Sequence, residues 1–185
     1  MFYKFFIPIL ISTIFSLNLY ADEKQLIINQ LIDIDNITFD FEQLTNDKKE
    51  QGMCILVFDN KLICDYEDSV QKRILITNKT LVVQQRRYDK IYFYPISNSP
   101  FIKIFNKTNL INLIKNSDYK LNGNIKLTHV TKDNEEIIIF FGKNDHDLVG
   151  WKVVDQLQNI INFSIKIKYT NSNINPKIFK IPSLN

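Results

Sequence analysis

Ile37-Thr38-Phe39-Asp40-Phe41-Glu42-Gln43 alternates apolar and polar side chains without a break, which puts Ile37, Phe39 and Phe41 on one face. That period of two belongs to a strand with one face buried. Just upstream, Leu26, Ile27, Leu31 and Ile34 recur at helical spacings, which predicts an amphipathic helix from Lys24 to Ile34. Asp22 and Glu23 stand where acids favour a helix start. The period changes from helical to strand-like within a few residues.

Further strands follow over Cys54 to Phe58, Lys61 to Tyr66, Arg73 to Thr77, Thr80 to Arg86 and Ile91 to Tyr94, separated by turn-formers such as Asp59-Asn60 and Asn78. Pro95 and Pro100 interrupt this meander, because proline cannot donate to a ladder. Leu110, Ile111, Leu113 and Ile114 then predict a short apolar helix over Asn109 to Lys115. The remaining strands are expected over Lys126 to Thr131, Glu136 to Phe141, Gly150 to Asp155, Ile160 to Tyr169 and Lys177 to Ile181. A parallel sheet needs a crossover helix for each strand, and the sequence has none to offer. The fold class is therefore mainly β (α+β): an incomplete antiparallel β-barrel or strongly curved sheet, with a helical lid over its apolar face.

The chain opens with Lys4, an apolar run from Phe5 to Phe15 and a short stretch ending at Ala21, the pattern of a cleavable signal peptide over residues 1–21. The run is shorter than the roughly 20 residues that a membrane-spanning helix requires. No cysteine precedes Cys54, so a lipid-modified N-terminal cysteine is not expected, and the product is read as a soluble exported protein. Taking 21 from 185 leaves 164 residues for a single domain at 22–185. Its net charge, +3 less the one charge of Lys4, is too balanced for a nucleic-acid surface, and a monomer is expected.

No catalytic constellation emerges. His129 and His146 are the only histidines, and both read as surface side chains without metal-ligand spacing around them. Asp65, Glu67 and Asp68 read as solvated acids at a strand end. Four glycines leave no phosphate loop, dinucleotide fingerprint or nucleophile elbow, so neither an enzyme nor a cofactor is indicated. Cys54 and Cys64 flank the turn at Asp59-Asn60. A register centred on Asp59 sets them opposite one another within disulfide range, whereas a two-residue loop would stagger them onto opposite faces. The oxidising compartment favours the disulfide.

Taken in order, these pieces resemble the LolA family of periplasmic lipoprotein carriers. Phe41-Glu42-Gln43 reproduces a first strand ending Phe-x-Gln, and Gly52 to Tyr66 resembles the hairpin that follows. The segment from Ile74 to Val82 is similar to I-V-S-D-G-K-x-L-W. Tyr94-Pro95, Pro100 and Leu110 to Ile114 resemble the proline and Leu-Leu region. Leu148 to Asp155 is similar to L-x-G-W-x-V-x-D, and Phe179 to Pro182 to a closing F-x-x-P. The chain departs from the family where an arginine usually precedes the hairpin proline, having Phe58 and Asp59 there, and at a second basic position, which is Ile63. Closure of the lid is therefore expected to rest on apolar contact.

The resemblance implies a carrier that takes acylated lipoproteins from an inner-membrane ABC lipoprotein exporter and passes them to an outer-membrane lipoprotein receptor. The alternative is a lipid- or protein-sensing regulatory module on the same scaffold. By alternation, the expected lining of the lipid cavity is Ile37, Phe39, Phe41, Leu56, Phe58, Leu62 and Tyr66, with Leu26, Leu31 and Ile34 on the lid. The carrier reading asks these side chains to enclose a hollow beneath the first helix rather than to fill it.

Overall fold

The computed structural model describes residues 18–58, 60–77, 80–96, 100–130, 136–154 and 160–182. Most of the leader assigned to residues 1–21 lies outside them, as do the turn residues Asp59 and Asn78. The early helix, α1, spans Asn18–Ile32 and begins well upstream of the expected Lys24. Strands β1 (Asn36–Thr45), β2 (Lys48–Val57), β3 (Lys61–Tyr66), β4 (Lys72–Thr77), β5 (Thr80–Gln85) and β6 (Lys90–Pro95) follow as an antiparallel meander. A 3-10 helix at Pro100–Phe105 leads into α2 (Lys107–Lys115), whose Asn106 cap accepts a hydrogen bond from the Asn109 amide. Strands β7 (Asp118–Asn122), β8 (Asn124–Val130), β9 (Glu136–Phe141), β10 (Leu148–Val154) and β11 (Ile160–Thr170) complete the sheet.

All eleven strands form one antiparallel sheet in the order β6-β5-β4-β3-β2-β1-β11-β10-β9-β8-β7. The sheet is not closed, and β6 and β7 are its two edges. At its centre β1 pairs with β11, from Ile37 opposite Thr170 to Thr45 opposite Ile161, so the two ends of the chain hold the middle of the fold. Ile76 of β4 and Ile125 of β8 belong to the same buried cluster. Eight neighbouring strands about 4.8 Å apart would span roughly 34 Å if flat, so a shared core demands that the sheet curl around its contents. Gly150, at φ 157°, stands where β10 carries a bulge, and a side chain there would strike the Phe163 carbonyl of β11.

Two expectations are corrected here. Residues Lys177 to Ile181 do not form a strand: Pro176–Phe179 is a 3-10 helix, with proline in its first turn and the Asn175 side chain accepting from the Lys177 amide. It lies on the convex face of the sheet, where Phe179 is buried in a second small core with Ile63, Leu75 and Val82. Conversely β7 was not expected, because its alternating Tyr119 and Leu121 are interleaved with charges and gain little burial at an edge. The segment from Asn171 to Pro182 is thus a strap across the outside of the sheet.

Candidate functional site

The concave face is built from alternate residues of the central strands. Ile37, Phe39 and Phe41 of β1, Leu56 of β2, Phe58 just after it, and Leu62 and Tyr66 of β3 are all buried and belong to one apolar cluster. The structure therefore brings together all seven side chains assigned to the interior. It adds a set that alternation in β1 to β3 did not reach, centred on Trp151 of β10. The Trp151 ring stacks on Phe163 at 4.9 Å and meets Phe39 and Phe105 edge-on at 6.3 and 6.2 Å. Phe163 leads to Phe41 and Phe41 to Tyr66, an aromatic row across the floor of the concavity. Cys54 and Cys64 lie opposite one another in the β2–β3 ladder and are joined by a disulfide, with Cα atoms 4.1 Å apart.

The hollow expected beneath the first helix is filled. Ile27, Ile28 and Leu31 of α1, Ile104 and Phe105 of the 3-10 helix, and Leu110, Leu113 and Ile114 of α2 pack into the concavity as part of the same cluster. Trp151, Phe39 and Leu56 retain essentially no accessible surface. Of the three lid residues assigned from sequence, Leu31 faces inward and Ile34 packs at the margin, but Leu26 is 43% exposed. Successive helical residues turn by about 100°, so Leu26 and Ile28 flank Ile27 on opposite sides. Packing of α1 against α2 buries the Ile28 flank and leaves Leu26 in solvent.

Closure does not rest on apolar contact alone. The loop between β9 and β10 reaches α1 twice: His146 Nε2 lies 2.7 Å from Glu23 Oε2, and Gln30 donates to Asp147 at 2.6 Å. His146 is therefore a half-buried rim residue rather than a surface histidine, held there with a left-handed φ of 57°. Burial and the neighbouring Asp145 raise the Asp147 carboxyl above the ordinary carboxylate range, against the opposing hydrogen bond from Gln30. Lys24 donates to the Lys115 and Ser117 carbonyls at the end of α2, and Lys107 to the Ile32 carbonyl at the end of α1. The cover is greasy beneath and tied by a few polar contacts along its rim.

Across the sheet, one end of the concavity is polar. Glu50 accepts from Lys48 and Lys72 at 2.9 and 2.6 Å, and the Lys72 ammonium also sits 3.7 Å above the Tyr66 ring. The Tyr66 hydroxyl donates to Gln43 at 2.6 Å. Burial, with Glu50 and Asp68 nearby, pushes that phenol well above its usual range. Lys48, Glu50 and Tyr66 border a cleft of about 560 Å³ running to Glu67 and Ser69. On the convex side Asp65 is held by Arg73 through two 2.7 Å hydrogen bonds and by Arg86 at 3.0 Å, so it is not the solvated acid expected. Among the described residues, no group of three His, Cys, Asp or Glu side chains is arranged to hold a metal ion.

A family model described as "Outer membrane lipoprotein carrier protein LolA" matches residues 33–182, which takes in the whole sheet and the strap. Among solved structures the chain is similar to the lipoprotein LppX of Mycobacterium tuberculosis, with 10% identity, a TM-score of 0.50, and coverage of 86% of this chain and 99% of that one. It is also similar to a LolA superfamily protein from Nitrosomonas europaea, with 9% identity, a TM-score of 0.42, and coverage of 85% and 97%. For the MucA/MucB complex of Pseudomonas aeruginosa the values are 11% identity, a TM-score of 0.49, and coverage of 88% and 62%. No curated protein matches the chain.

Proposed function

The chain belongs to the LolA family, and from that premise we propose that it is a periplasmic carrier that binds lipoprotein acyl chains non-covalently between its curved sheet and its helical cover. In this reading it collects acylated lipoproteins from an inner-membrane ABC exporter and delivers them to an outer-membrane receptor. The observation that carries it is the build of the cover: its underside is apolar where it meets the sheet, and a few hydrogen bonds tie its margin. An acyl chain takes the place of the cover's own side chains on the sheet. Each buried methylene contributes about 0.8 kcal/mol, and exposing each of Ile27, Ile28 and Leu31 costs about 1.5–3 kcal/mol, so a chain of roughly a dozen methylenes comes near balance. Exchange near balance is what a carrier that must release its cargo requires.

The test is uptake of a hydrophobic fluorescent probe by the purified protein and its displacement by a triacylated lipoprotein. Trp151, the sole tryptophan, lies in the floor of the concavity, so occupancy is expected to change its emission in step with uptake. Probe that does not bind, or that a triacylated lipoprotein does not displace, would falsify the carrier reading.

A further inference from the structure

The apolar floor is not sealed on every side. Along the cross-strand ladder, Ile37 lies opposite Leu56, Leu56 opposite Leu62, Leu62 opposite Ile76, Ile76 opposite Leu81, and Leu81 opposite Tyr94. This row starts in the buried centre of the sheet and ends on the free edge strand β6, where Tyr94 is 48% exposed, and no charged side chain interrupts it. The neighbouring row starts at Phe39 and ends on the same strand at Tyr92, which is 39% exposed. Leu81 and Ile74 stand part-way out and still pack on the core. On the α1 side, by contrast, Glu23, Lys24 and Gln30 close the perimeter with polar contacts.

The two sheet edges are built differently. Strand β7 carries Asp118 and Lys120, charges of the kind that protect an edge from unwanted pairing. Strand β6 presents Ile91-Tyr92-Phe93-Tyr94 with no charge among them; Phe93 is exposed on the face opposite the two tyrosines. The hairpin that feeds it adds exposed Tyr88, and Arg87 and Lys90, which make no ion pair among the described residues. Arg86 and Arg87 bond to the Gln71, Val70 and Ser69 carbonyls, which fixes this tip against the β3–β4 turn. Aromatic rings on both faces of the edge, two tyrosines on one and Phe93 on the other, beside Arg87 and Lys90, which outnumber the single acid Asp89 at this tip, match the aromatic belt and basic residues by which proteins settle at a bilayer surface.

We propose that the β6 edge and the adjoining tip at Arg87 to Lys90 dock on an anionic phospholipid bilayer, and that the two apolar rows ending at Tyr92 and Tyr94 are the portal by which acyl chains cross between bilayer and concavity. The portal rests on the acyl-chain reading; the docking surface is tested separately. Once the edge is seated in the headgroup layer, an acyl chain moves onto the sheet floor without passing a polar rim.

The full chain is floated with vesicles of phosphatidylcholine alone, or with about 30 mol % phosphatidylglycerol. Flotation with the anionic vesicles is expected, falling about tenfold in Tyr92→Glu/Tyr94→Glu and in Arg87→Glu/Lys90→Glu. Both variants should keep the thermal transition of the wild type, and Arg87→Glu/Lys90→Glu should also keep its uptake of probe from aqueous solution. Tyr169→Glu, an exposed aromatic on β11, should float unchanged. Absence of wild-type flotation, equal loss in Tyr169→Glu, or full flotation of Tyr92→Glu/Tyr94→Glu overturns the docking while leaving the carrier reading intact. Protection of the residue 91–94 amides from hydrogen exchange by rising protein concentration, or by an added extended peptide in place of vesicles, also overturns it and assigns the edge to that occupant. Failure of the wild type to take up probe from solution removes the portal together with the carrier reading.

Discussion

Glu50 shows how one residue ties the electrostatics of the concave mouth to stability. Burial alone would raise its carboxyl, but hydrogen bonds from Lys48 and Lys72, with their charges, outweigh burial and hold it below the ordinary value. A lowered carboxyl adds stability that is complete above the unfolded-state value of about 4.5 and is lost as the pH falls through the folded-state value. Glu50→Gln is therefore expected to lower the urea midpoint at pH 7, and the gap from wild type should close on acidification through that window. A gap independent of pH would mean that packing, not charge, sets the effect. The Cys54–Cys64 disulfide closes a short loop of sequence separation 10 on the same concave face, within the main core. Chain-entropy reasoning assigns such a loop about 2–3 kcal/mol, so Cys54→Ser/Cys64→Ser should shift the midpoint accordingly and leave the urea dependence nearly unchanged.

At the scale of elements, α1 is the piece whose position decides access in the proposed carrier. It is one amphipathic helix on α2 and the sheet floor, and the β9–β10 loop holds it through Glu23–His146 and Gln30–Asp147. Each such contact is worth about 0.5–1.5 kcal/mol, less than the burial of a single core isoleucine. Losing both should loosen the cover without unfolding the sheet. His146→Ala/Gln30→Ala is expected to speed probe uptake several-fold in stopped-flow fluorescence, while the thermal midpoint falls only slightly. A large fall in the midpoint with no gain in rate would place α1 in the permanent core. The legibility of this element was partial: the helical period was plain, but the choice between Leu26 and Ile28 as the buried flank depends on α2, which lies 75 residues away at Lys107 against Ile32.

For the molecule as a whole, the central event is the pairing of β1 with β11. The meander from β1 to β6 and the run from β7 to β11 each form from local hairpins, but the core on the concave face contains side chains of both. Closing so long a loop carries an entropic cost that only the shared core repays. A chain cut after Val154 keeps every hairpin of the first half, yet β1 and β10 lose their common partner. It is expected to show no cooperative thermal transition in circular dichroism, while retaining strand signal. A sharp transition in the shortened chain would mean that the first half folds alone.

The sequence by itself determined the periods: the helix before Ile37, the strict alternation that puts Phe39 and Phe41 on one face, and the hairpin that Cys54 and Cys64 flank, though not the register that sets one opposite the other. These are local, because backbone geometry converts spacing directly into a face. Only the tertiary structure decided how that face is used. It joined β1 to β11, turned Pro176–Phe179 into an outer strap where a strand was expected, brought His146 to the rim, and pressed α1 and α2 into the space that the alternation had left as a hollow. A spacing pattern specifies which side chains avoid water, but any apolar surface satisfies them equally. Which surface meets them is settled by the free energy of the whole packed arrangement, and no segment carries that quantity alone.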